Sequence, residues 1–216
     1  ACAGPSVVVV ISIDPVPVVS SAATKSICSG VSVNYVPTAA VAGTVFNWTS
    51  SVTVGTVTGN TAVGGLGTIA DVLVNTTNVI GTVRYVITPV ANGCSGTPFN
   101  VDVTVDPQPT LSTVVTPLSQ VLCSNTAMVI DVNSATVPSA GSVVYDYVAV
   151  ASDVSVTGFT ASAINQSLAT NISNLNVLNS SLIRQTITYT ITPKVLGGLA
   201  CAGPSVVVVI SIDPVP

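Results

Sequence analysis

Five cysteines, eight acidic residues and four cations carry most of the reactive chemistry in this 216-residue chain, and histidine is absent. All eight acids are Asp. Serine and threonine are plentiful, but without histidine the usual base that would activate them is missing. A Ser–Lys pair would need Lys25 or Lys194 desolvated beside a fixed hydroxyl, and both lysines fall in expected loops. Glycoside cleavage needs two facing carboxylates. Asp146 and Asp153 are the candidate pair, and they read better as exposed strand residues. The cysteines are too far apart in sequence for the usual zinc spacings. Calcium needs six to eight oxygens, and a junction site built on Asp14, Asp106 or Asp213 is a minor alternative to a purely structural role. A Lys–Asn isopeptide bond would lack its customary Glu. Trp48, the only tryptophan, could serve as a sugar platform but reads better as a core residue. Five N-x-S/T sequences (Asn47, Asn75, Asn165, Asn171, Asn179) arise readily in a chain so rich in Ser and Thr. No enzyme is expected, and no cofactor.

Charged residues make up 6% of the chain, against about 25% in an ordinary soluble domain. Four scattered cations cannot neutralise many phosphates, which argues against nucleic acid as a partner. Mean hydropathy is +0.77, yet the longest apolar runs, at 7–13 and 206–212, fall far short of the roughly 20 residues that span a bilayer. Membrane insertion is not expected. No basic segment followed by an apolar stretch opens the chain, so no signal peptide is visible. A start at Ala1 without Met reads as a mature or excised fragment.

The positioning elements emerge from a repeat. Residues 1–17 and 200–216 are identical, ACAGPSVVVVISIDPVP, so the chain holds slightly more than one period of a tandem array. A weaker repeat lies inside the period. The shape D-P-x-P occurs at Asp14-Pro15-Val-Pro17, Asp106-Pro107-Gln-Pro109 and Asp213-Pro214-Val-Pro216. Between these marks the same landmarks recur in order. They are Cys28-Ser29 and Cys123-Ser124, then Phe46/Trp48 and Tyr145/Tyr147. Next come Thr58-Gly59 and Thr157-Gly158, then Tyr85-Val-Ile-Thr-Pro89 and Tyr189-Thr-Ile-Thr-Pro193. Last are Gly93-Cys94-Ser95-Gly96 and Cys201-Ala202-Gly203. The expected organisation is 1–17 as the last strand and linker of a preceding repeat, 18–109 as one module and 110–216 as a second.

Alternation supports strands: Val31, Val33, Tyr35; Val101, Val103, Val105; Ile187, Tyr189, Ile191, each set separated by polar residues. About seven strands per 100 residues with Gly and Pro between them predict an all-β fold, tandem immunoglobulin-like sandwiches arranged end to end. Residues 171–182 place Ile172, Leu175 and Leu178 at helical spacing and read as a short turn or one-turn helix. Residues 1–14 are expected to share the conformation of 200–213.

The order C-S-G, aromatic-x-W, Gly65-Leu-Gly-Thr-Ile69, Leu73-Val-Asn-Thr-Thr77, Y-x-I-T-P, G-C-x-G and V-x-V-x-V-D-P-x-P resembles the PKD-like repeats of giant Bacteroidota surface adhesins of the gliding-adhesin type. The second module departs from the pattern: Trp48 becomes Tyr147 and the G-x-G-x-I stretch is absent. The resemblance implies a sandwich fold, an extracellular place on the bacterial cell surface, and a stalk or filament role in adhesion or gliding. It implies neighbouring repeats as partners and an adhesive target the sequence does not name. A ligand-binding module, reading glycans or another surface, is the alternative.

Cysteines in such a chain are expected to pair. In an immunoglobulin-like module Cys28 and Cys123 would sit at the pole facing the next module, and Cys94 and Cys201 at the pole facing the previous one. A strand separates those poles by about 17–24 Å, while a disulfide needs Cα atoms within about 7 Å. This favours Cys28–Cys201 between modules, leaving Cys2, Cys94 and Cys123 for neighbouring repeats. Pairing within modules, Cys28–Cys94 and Cys123–Cys201, is the alternative.

Overall fold

A strand whose side chains alternate apolar and polar must lay its apolar face on another sheet. The computed structural model, which describes residues 4, 6–117 and 120–215, shows two such sandwiches and no helix among those residues. Cys2 and Pro216 lie outside the described residues.

The first module contains β1 (Thr24–Cys28), β2 (Val31–Ser32), β3 (Val45–Val54), β4 (Val57–Thr58), β5 (Gly65–Leu66), β6 (Val72–Asn75), β7 (Gly81–Ala91), β8 (Cys94–Ser95) and β9 (Phe99–Asp106). One sheet runs β1-β9-β7-β3-β5, with β8 added to β7; it faces β2-β6-β4. The second module contains β10 (Ser112–Thr116), β11 (Val121–Cys123), β12 (Thr126–Asn133), β13 (Ser142–Ala151), β14 (Val156–Thr157), β15 (Ser162–Ser167), β16 (Ile172–Asn179), β17 (Gln185–Leu196) and β18 (Val206–Asp213). Its sheets are β11-β18-β17-β13-β15 and β10-β12-β16-β14. The longer second module adds β10, paired with β12 over five residues.

Each module has its own core. In the first, Val33, Ile69, Leu73, Val83, Tyr85 and Val103 are fully buried; in the second, Ile130, Val177, Ile187, Tyr189, Ile191 and Ile210. Each such side chain contributes about 1.5–3 kcal/mol of transfer free energy. The tyrosines also tie down turns. Tyr85 donates to Asp71 Oδ2 at 2.8 Å, and Asp71 in turn accepts from the Thr61 N–H and hydroxyl. Tyr189 accepts from Asn174 Nδ2 at 2.9 Å. Trp48 is buried in the first core, edge-on to Tyr85 with ring centroids 5.6 Å apart, and so is not an exposed platform.

Two expectations are corrected. Residues 171–182 are not a turn or helix: they hold β16, paired with β12. The side chains that point inward are Ile172, Asn174, Val177 and Asn179, while Leu175 and Leu178 are exposed. Helical spacing of apolar residues misled because two of the inward positions are asparagines satisfied by hydrogen bonds. The second correction concerns the duplicated segment. Residues 206–213 form β18, between β17 and β11. The same letters at 7–13 form no strand and stand exposed. A strand is defined by its partners, and only the second copy has them.

That contrast gives a paired test. Ile210 is 0% exposed and its duplicate Ile11 is 79% exposed. Ile210→Ala is expected to lower stability by about 2–5 kcal/mol, and Ile11→Ala by less than about 0.5 kcal/mol, read from urea unfolding midpoints. A pH test follows from the tyrosines. Burial pushes Tyr85, Tyr145, Tyr147 and Tyr189 above the ordinary phenol range, and Asp71 adds to the rise at Tyr85. Their stabilisation is complete below the unfolded phenol pKa of about 10 and is lost as pH rises beyond it. Circular dichroism should show the fold intact at neutral pH and unfolding in strong alkali, with tyrosinate absorbance appearing together with that unfolding.

Candidate functional site

The acids and cations first singled out for chemistry are engaged with one another or with the backbone. Lys194 Nζ meets Asp146 Oδ2 at 2.6 Å, and Asp146 Oδ1 also accepts the Asn165 N–H. Burial works against ionisation of Asp146, but these partners outweigh it and hold its carboxyl below the usual range. Asp153 accepts from the Ser155 N–H, so Asp146 and Asp153 do not face each other as a pair. Lys25 donates to the Asn34 carbonyl. Arg84 grips Asp102 with two hydrogen bonds and holds its carboxyl low. Among the described residues no cluster of three metal-ligating side chains occurs, and no helix is long and apolar enough to cross a membrane.

The residues converge instead at the joint between modules. Its placement starts with strand pairing. In each module the strand that ends in the first cysteine lies parallel to the last strand: Thr24–Cys28 opposite Asp102–Asp106, and Val121–Cys123 opposite Ser211–Asp213. Cys28 is therefore level with Asp106, and Cys123 with Asp213. The Ser29 N–H donates to the Asp106 carbonyl at 2.8 Å, and the Ser124 N–H to the Asp213 carbonyl at 3.0 Å. The residue after each cysteine thus closes its module against the start of the linker.

A buried asparagine locks the same pole. Asn75 Nδ2 donates to the Val79 and Val105 carbonyls, and its Oδ1 accepts from the Thr77 N–H and hydroxyl. Its N–H donates to Ser29 Oγ, which donates back to its carbonyl. Asn179 repeats every bond, with Ile183, Ile212, Ser181 and Ser124 as partners. These two asparagines are 6% and 0% exposed, so their sequons serve the fold. The signal was present in the sequence as N-T-T and N-S-S at one position of the repeat; its structural meaning needed the partners.

The linker crosses from one pole to the next. Asp106 is fully buried. Its Oδ1 accepts the Ser139 N–H at 3.1 Å and its Oδ2 the Ser139 hydroxyl at 3.0 Å, both from the second module. The Val137 N–H donates across the joint to the Asn78 carbonyl at 2.8 Å. Pro107 and Pro109 are buried. A Cβ at Gly203 would fall on the Pro109 carbonyl, and one at Gly96 on the Pro17 carbonyl. Only glycine lets the linker pass this close to the β17–β18 and β7–β9 turns. The other D-P-x-P aspartates behave differently. Asp14 accepts from Asn92 Nδ2, and Asp213 pairs with Arg184, which holds its carboxyl below the usual range. Pro15 is exposed and Pro214 half-buried.

A disulfide completes the joint. Cys28 is bonded to Cys201, Cα–Cα 5.5 Å, across 173 positions of sequence. Cys201 is buried. Cys94 and Cys123 are free, the first half-buried and the second exposed. They occupy the positions of Cys201 and Cys28 in the other module.

The PKD-like domain family matches residues 25–109 and again 120–216. No curated protein matches the chain. Among solved structures it is similar to domains FN1–FN3 of chicken CNTN1 (14% identity, 92% of this chain and 66% of that one, TM-score 0.34). It is similar to extracellular cadherin domains 3–6 of protocadherin gamma B2 (12% identity, 92% and 47%, TM-score 0.36). A three-Ig segment of titin gives 9% identity, 92% and 65%, and a TM-score of 0.40. The chain therefore spans two thirds or less of each of these structures.

The Asp106–Ser139 contact predicts a mutational pattern. Ser139→Ala keeps the N–H bond to Oδ1 but leaves Oδ2 of the fully buried Asp106 without its hydroxyl donor, and is expected to cost about 1–3 kcal/mol. Ser139→Thr keeps both donors and should recover most of that loss in the same denaturation measurement; Thr38 already stands at the matching place of the first module, in V-P-T-A against V-P-S-A.

Proposed function

The chain belongs to the PKD-like domain family, and we propose that it is a stalk segment of a giant, repetitive bacterial surface adhesin, serving adhesion or gliding outside the cell. It acts as a stiff spacer that holds a distal adhesive part away from the surface and transmits tension. One observation carries this reading: two covalent connections, the 106–109 linker and the Cys28–Cys201 bridge, join the same pair of modules. A single flexible linker permits swivelling; two attachments with a buried Asp106–Ser139 contact between them oppose it.

The exact repeat of residues 1–17 at 200–216 supports a tandem array. In that array Cys123 pairs with the Cys94 of the next period, and Cys2 and Cys94 pair with the preceding one, so that every joint is stapled. A disulfide-dependent joint suits an oxidising compartment, which agrees with an extracellular, cell-surface place. The linker prolines add stiffness by fixing φ near −65°. Neighbouring repeats are the partners on this reading.

Electron microscopy of single oxidised molecules tests the reading. The angle between the two modules should be narrowly distributed, and it should broaden after reduction or in Cys201→Ser. An equally broad distribution in the oxidised chain would remove the case for a stiff spacer. In a chain of two periods, peptide mapping should recover Cys123 joined to the Cys94 equivalent of the second period.

A further inference from the structure

The topology of the disulfide does more than limit bending. We propose that tension along this chain travels through β1, across the Cys28–Cys201 bridge and down β18, and that, where this bridge is the one formed, everything between residues 28 and 201 lies off the load path. The mechanics follow from the connectivity alone; their biological use rests on the tension-bearing reading above.

Consider first the chain without the bridge. Tension enters the first module ahead of β1 and leaves after β9. These strands are parallel and paired over five residues, Thr24 opposite Asp102 through Cys28 opposite Asp106. Pulling their outer ends in opposite directions loads those bonds in shear. The second module repeats the arrangement with β11 and β18. Once a strand pair slips, the module behind it unravels and its residues join the extended chain.

With the bridge in place the covalent route is different. It runs along the backbone from Val18 to Cys28, crosses to Cys201, and continues to Asp213. No hydrogen bond lies in series with the load between Cys28 and Cys201, because a covalent bond spans that gap. The route also has little slack. β7 has 11 residues and β17 has 12, so the long strands of the two modules measure about 37 and 41 Å. The covalent segments that must span the same modules, 18–28 and 201–213, reach only about 36–47 Å when fully extended. They are close to taut at the folded length. Load therefore falls on the backbone before either core has room to open.

The two cores, the buried asparagine networks and the β3, β6, β13 and β16 strands all lie inside the covalent loop. They keep the two load-bearing strands in place without carrying the pull themselves. If Cys123 and Cys94 are bridged between periods, a second route of the same kind follows. It runs down β9, through the 106–109 linker and along β10 and β11, so that each module is crossed by two covalent lines, adjacent in one sheet where β1 lies beside β9 and β11 beside β18.

Single-molecule force spectroscopy on the full chain, with handles at its two ends, tests this. The loop of 173 sequence positions hides on the order of 600 Å of extended chain. The oxidised molecule should show no lengthening step above about 50 Å before detachment. The same molecule after reduction, and the Cys201→Ser variant, should show two steps, each on the order of 300 Å. Long steps in the oxidised chain would overturn the proposal, since they would place residues 29–200 under load. If reduction leaves a module already unfolded, the detachment length still exceeds that of the oxidised chain by about 600 Å, and equal detachment lengths would overturn it too. The outcome is separable from the stiff-spacer reading, because the joint-angle distribution is measured without force.

Discussion

The parallel pairing of each module's cysteine-bearing strand, β1 or β11, with its last strand is the constraint on which the joint depends. Parallel strands cannot be joined by a tight turn, so almost the whole sandwich is threaded between β1 and β9, and between β11 and β18. The consequence is positional. Both strands of a pair finish at the same pole, which puts a cysteine beside the aspartate that opens the linker. The turn after β17, carrying Cys201, is brought to that pole by the short linker. Cys28 and Cys201 then lie within bonding reach although they are 173 positions apart.

The rest of the joint consists of polar groups that must be satisfied once this geometry is imposed. The end of a strand, a linker and a loop meet where water is excluded, and each backbone group there needs a partner. Asn75 and Asn179 meet that demand with the same set of bonds in both modules. Asp106 belongs to both sides: its carbonyl closes the first module and its carboxylate holds Ser139 of the second. The surface ion pairs, Arg84–Asp102 and Arg184–Asp213, are partly exposed, and pairs of that kind contribute at most about 1 kcal/mol. Direction and closeness at the joint come from buried hydrogen bonds, glycine clearance and the disulfide.

Much of the architecture was legible in the residues. The 17-residue duplication and the repeated D-P-x-P, Cys-Ser and Y-x-I-T-P landmarks mark out the two modules, and period-two alternation marks most of the strands. These features are local, and local patterns are what a sequence displays directly. The asparagine and glycine positions were visible as repeated letters, but not their purpose. Asn179 looks like a sequon until Ile183, Ile212 and Ser124 surround it. Gly203 looks like a turn residue until the Pro109 carbonyl is placed against it.

Residues 206–213 and 7–13 show where the sequence stops deciding. The letters are the same, yet one segment is a central strand and the other an exposed stretch without pairing. Backbone propensity is equal in the two, so it cannot be what separates them. The difference is made by β17 and β11, which supply hydrogen-bond partners and an apolar face to one copy only. The same holds for β16, whose helical spacing of Ile172, Leu175 and Leu178 gave way to inward-facing asparagines once β12 lay alongside. Composition and repetition by themselves determined an all-β, tandem, charge-poor chain. Which strand pairs with which, and therefore which cysteine meets which, was decided in three dimensions, because those contacts join residues that only the completed fold brings together.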